Sequence, residues 1–87
     1  MAQYELSKHV QRELVGRRIP LSVVEAIMDA PEQKIPETPN VLCYQSKVEI
    51  SGKLYLVRVM VNEIATPPKV ITAYRTTKIA KYWKETP

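Results

Sequence analysis

The chain has 87 residues, 45% hydrophobic and 25% charged, which fits one small folded core and excludes two. Its apolar runs are short, Leu54 to Val57 among the longest, which argues against a membrane-spanning helix; the single Cys43 and single His9 exclude a disulfide framework and a multi-cysteine zinc site. The net charge of +4 is uneven: residues 1–40 carry five Lys/Arg against six Asp/Glu, residues 41–87 eight against three, so the second half is the one expected to attract a polyanion or an acidic protein.

Along the chain, residues 6–15 place Leu6, Val10 and Leu14 on one helical stripe, with Ser7 as the cap and Gly16 as the stop. A second helix follows Pro20. Leu21, Val24, Ile27 and Met28 form its stripe, Ser22 and Glu25 have capping-box spacing, and Pro31 ends it. Its start lies at either Pro20 or Ser22. Residues 31–40, with Pro31, Pro36 and Pro39 among polar side chains, read as a loop.

The period then becomes two. Leu42, Tyr44, Val48 and Ile50 take one face of a strand; Gln45, Lys47 and Glu49 take the other. Ser51-Gly52 suits a two-residue hairpin turn, and Leu54 to Val61 is apolar on both faces, as in a central strand. After the Pro67-Pro68 break, Val70 to Tyr74 reads as an antiparallel strand. Thr76 or Thr77 is expected to cap a short helix through Trp83. The fold class is α+β: two N-terminal helices packed on a three- to four-stranded antiparallel sheet, with a short C-terminal helix. Residues 1–87 form one domain. Nothing at the start of the chain reads as an export leader, so a cytoplasmic protein is expected.

Three groups of residues suit chemistry. Arg58 interrupts the apolar strand on the face of Leu54, Leu56 and Met60; such a charge is paired, faces a cleft, or snorkels from a sheet edge. His9 is the one side chain whose ordinary pKa, about 6.5, lies near neutrality, and it is either a proton-transfer group or a boundary histidine. Tyr74, Arg75, Thr76, Lys78 and Tyr82 form the third group. Arg and Lys hold phosphates, and tyrosine stacks on bases or transfers a proton. Trp83 and the Tyr44/Tyr55 pair read as packing, and Cys43 as a small buried hydrophobe. The scattered acids and two glycines offer no paired-carboxylate, two-metal or phosphate-loop chemistry.

Several of these motifs together resemble a family. Leu6-Ser7-Lys8-His9-Val10 followed by Arg17-Arg18-Ile19 is similar to the start of a small group of bacterial domains in the RelE/ParE toxin superfamily. Leu56 to Asn62 and Pro67 to Tyr74 match a second signature. Ile71 to Arg75, with Lys78 and Tyr82, resembles the ending of the BrnT ribonuclease toxins. The likeness spans residues 4–83 and departs at Arg18-Ile19-Pro20, where the family has a small residue before the isoleucine.

The resemblance implies a RelE-like fold and the toxin of a type II toxin–antitoxin system: an endoribonuclease that cuts mRNA, on or off the ribosome, with no metal or cofactor. A cognate antitoxin would cover the sheet and basic cleft. ParE-like relatives poison gyrase instead, and a non-catalytic basic binding module is the alternative of another class. Carried over by position, His9, Arg58, Tyr74 and Arg75 are the implied catalytic residues. Arg17, Lys78, Lys81, Tyr82 and Lys84 are the implied RNA contacts. Arg58 and Arg75 would stabilise the phosphorane, with His9 or Tyr74 moving the proton. An exposed edge strand would favour pairing with the antitoxin or with a second copy.

Overall fold

A computed structural model describes residues 3–85. The elements are α1 (Lys8–Gly16), α2 (Leu21–Asp29), β1 (Gln33–Thr38), β2 (Val41–Ile50), β3 (Lys53–Asn62), β4 (Lys69–Thr76) and α3 (Ile79–Tyr82). The four strands form one antiparallel sheet in the order β1-β2-β3-β4. The architecture is the α+β arrangement expected from the sequence. Among the described residues no helix is long and apolar enough to cross a membrane.

One face of the sheet makes the core. Val57, Val59 and Val61 of β3 and Tyr44 and Ile50 of β2 pack with Val10 and Leu14 of α1 and Val24, Ile27 and Met28 of α2. α1 begins where Ser7 accepts a hydrogen bond from the Val10 N–H at 3.2 Å, as its residue type requires. Ser51 and Gly52, with φ of 51° and 81°, make the tight turn between β2 and β3.

Two expectations are corrected, and two are settled in detail. Residues 31–40 are not all loop: Gln33–Thr38 pairs with β2 as an edge strand, where Pro36 does no harm because an edge strand leaves N–H groups without a ladder partner. Of the two starts open for α2, the helix takes the one after Pro20, with no side-chain cap from Ser22. Lys78, not Thr76 or Thr77, is the residue before α3; the Thr76 hydroxyl instead accepts the Lys78 N–H at 3.1 Å. Finally, α1 ends at Gly16 as expected, but the left-handed turn that follows does not fall on the glycine.

That turn falls on Arg18, with φ of 57°. The Ile19 N–H reaches back to the Leu14 carbonyl at 2.9 Å, closing the helix end around a position that glycine usually fills. It is also where the chain departs from the small residue of the family it resembles. A left-handed conformation costs a non-glycine residue about 1–2 kcal/mol, while glycine costs about 0.5–1 kcal/mol in unfolded-chain entropy. Relief of strain wins, so Arg18→Gly is expected to stabilise the chain by about 0.5 kcal/mol and raise Tm by about 2–4 °C. Thermal unfolding checks this; an unchanged or lower Tm refutes it.

Candidate functional site

The second face of the sheet carries the unusual chemistry. Strand alternation puts Arg58 beside its cross-strand partners Gln45 on β2 and Tyr74 on β4. Arg58 is only 5% exposed. Its Nε donates to the Gln45 side-chain oxygen at 2.8 Å. One terminal nitrogen donates to the Tyr74 hydroxyl at 2.6 Å and the other to Glu37 Oε1 at 2.6 Å. The Tyr82 ring lies 4.4 Å from the guanidinium carbon and meets Tyr74 edge-on at 6.4 Å.

Arg58 is therefore paired and buried, and does not snorkel from an edge. Burial works against its charge, but the hydrogen bonds to Tyr74 and Glu37 outweigh it and hold the pKa above the ordinary value. A guanidinium has five N–H groups. Three are used in these bonds, so one on each terminal nitrogen is left for a further acceptor.

A second layer of amides anchors the tail of the chain over this arginine. Gln45, expected on the solvent side of its strand, is fully buried. Its side-chain amide donates to Gln33 at 2.7 Å and to the Tyr82 carbonyl at 3.1 Å. Gln33 in turn bonds both the carbonyl and the N–H of Lys84, at 2.6 and 3.2 Å. Lys47 stands over the Trp83 ring at 4.1 Å, so Trp83 packs on this face. The tail is the reason that the centre of β2 is buried on both faces. Among the described residues no buried side-chain nitrogen or oxygen lacks a partner.

The carried-over residues thus divide. Arg58, Tyr74 and Tyr82 meet. Lys78, Lys81 and Lys84 lie on or beside the segment that covers them, and Lys78, Lys81 and Lys84 are exposed. Arg75 does not join them. It is paired with Val57 on the opposite face, its guanidinium 4.4 Å from the Tyr55 ring.

His9 also lies on the helical side, exposed, 3.2 Å from Glu13. Arg17 bonds the Thr72 hydroxyl at 2.8 Å and the Ala73 carbonyl at 2.7 Å, which fastens α1 to the outer edge of β4. The sheet separates Arg58 from both Arg75 and His9, so these three cannot act on one phosphate in this arrangement. Cys43 is buried beside Gln45, and burial pushes its thiol up to about 11, against the pull of Arg58; it stays neutral and is no nucleophile.

Sequence reasoning missed Glu37, Gln45 and Gln33. Glu37 lay in the segment read as loop. The available signal was Arg58 itself: a buried cation demands a carboxylate, and Gln33, Ile35 and Glu37 have the alternation of a strand. Among the described residues no cluster of three or more His, Cys, Asp or Glu could hold a metal ion. In comparisons with known protein families, curated proteins and solved structures, the chain matches none.

Proposed function

We propose that this chain is the toxin of a type II toxin–antitoxin pair, acting in the cytoplasm as a metal-independent endoribonuclease on mRNA. The observation that carries the reading is the Arg58 cluster. A carboxylate and a phenol stand 2.6 Å from the two ends of one guanidinium that still has N–H groups to give. The family-like order of motifs along residues 4–83 supports it.

Cleavage without a metal needs a base, a cation and an acid. Glu37 would take the proton of the ribose 2′-hydroxyl. The 2′-oxygen would attack phosphorus while Arg58 neutralises the equatorial oxygens. Tyr74 would give its proton to the leaving 5′-oxygen as the P–O bond breaks. The products would be a 2′,3′-cyclic phosphate and a 5′-hydroxyl. Lys78, Lys81 and Lys84 would hold the flanking phosphates. This reading moves the chemistry away from His9 and Arg75.

The test is incubation of the purified chain with end-labelled RNA in excess chelator, beside induced expression with growth and mRNA integrity followed together. Cyclic-phosphate ends and rapid mRNA loss are expected. RNA left intact in both, with isolated ribosomes supplied as well, refutes the reading. Growth arrest with intact mRNA points to a gyrase-type target.

One observation favours the binding module: the Tyr82 ring and the tail cover an arginine already making three hydrogen bonds. That reading expects RNA or an acidic protein to bind with no turnover.

A further inference from the structure

The helical side of the molecule has a feature the Arg58 face does not explain. Val15 points away from the core at 79% exposure, and Leu21 at 44%. Between them α1 and the start of α2 leave a cleft of about 130 Å³, lined by Gln11, Leu14, Val15, Ile19 and Leu21. The cleft continues past Leu6 and Leu21 into a wider groove of about 820 Å³, toward Tyr4 and Pro68. At its other end Ile19 and Ile50 extend the apolar floor.

The rim is cationic. Lys8 and Arg12 flank Val15 on α1, and Arg18 borders Ile19 at the helix end. Glu25, at the Tyr4 end, is the one acid among the lining residues; it raises the Tyr4 pKa after burial has done so. The one acid of α1 lies elsewhere: Glu13 faces His9 and Arg17.

Arg18, the left-handed residue that closes the end of α1, keeps its side chain exposed at this rim.

We infer that this groove is a docking surface for an acidic amphipathic helix of a protein partner. Leucine-like side chains at helical spacing would fill the Val15–Leu21 cleft, and carboxylates beside them would meet Lys8, Arg12 and Arg18. The groove is concave, so a flat bilayer cannot fill the cleft between the helices. Two copies of the chain joined face to face would set these three cations against themselves. The inference stands apart from the ribonuclease reading, since the sheet lies between the two sites.

The experiment is a selection from displayed random helices of about 15 residues, long enough to hold helical structure when docked, against the whole chain. The expected winners are acidic and apolar at i, i+3, i+4 and i+7. Val15→Asp and the double variant Arg12→Glu/Arg18→Glu, each checked for an unchanged Tm within a few degrees, should weaken them by about tenfold or more. Amide shifts in a titration should centre on residues 11–21.

Winners that are neutral or basic, that bind both variants as tightly, or that shift the Arg58 face overturn the proposal. So does an unenriched library, self-association through this surface, or binding of anionic vesicles lost in the same variants.

Discussion

Arg58→Ala is expected to lower stability by about 3 kcal/mol and Tm by about 12–24 °C. Removing one partner of a buried ion pair ordinarily costs 3–5 kcal/mol, roughly, because the other charge is left uncompensated. Here the effect falls at the low end: the Glu37 side chain is 35% exposed and can take water in place of the guanidinium.

The larger loss comes from Gln45. It is fully buried, and without Arg58 its oxygen keeps only the weak thiol donor of Cys43 at 3.8 Å. The tail would loosen as well, since Tyr82 stacks on the lost guanidinium. Chemical denaturation measures the change, and hydrogen exchange at residues 79–85 reports the tail. A variant as stable as the parent would show that the buried network is dispensable. An Arg58→Ala/Arg75→Ala double variant therefore cannot serve as a fold-neutral activity control. Arg75 can be replaced alone with little disturbance, because it is half-buried at the rim of the other face.

Tyr74→Phe is expected to reduce RNA cleavage by about 10²–10⁴-fold while the fold is kept. The ring still meets Tyr82 edge-on; only the hydroxyl is lost, and with it one acceptor for Arg58, at about 1 kcal/mol. Glu37→Gln keeps an oxygen facing Arg58 but no base, and should fall as far. His9→Ala and Arg75→Ala should stay within about twofold, since the sheet holds them away from Arg58. Single-turnover cleavage of a defined RNA separates these cases. Loss of activity in His9→Ala with Tyr74→Phe unaffected would return the chemistry to the helical side.

The elements of the fold were legible because each depends on local pattern. The stripe Val10–Leu14, the alternation in Leu42–Ile50, the two-sided apolar run of β3 and the Ser51-Gly52 turn follow from periods and turn residues that neighbours barely alter. β1 was hidden for the same reason. It is a proline-bearing edge strand whose order comes from pairing with β2, so its own residues carry little strand signal. Gln45 was misplaced because alternation tells which residues share a face, and not what covers that face.

The α+β class, the antiparallel sheet with the two N-terminal helices on one side, and Arg58 as the residue requiring an explanation all follow from local pattern. What answers that charge depends on contacts between distant segments. Glu37, Gln45, Tyr74 and Tyr82 come from three strands and the C-terminal helix, 13 to 24 positions from Arg58 along the chain, and only strand register and the return of the tail bring them to one guanidinium. Tertiary structure also decides that neighbours in sequence part company. Tyr74 and Arg75 sit side by side in β4, yet pleating sends one to the buried arginine and the other to Tyr55 across the sheet.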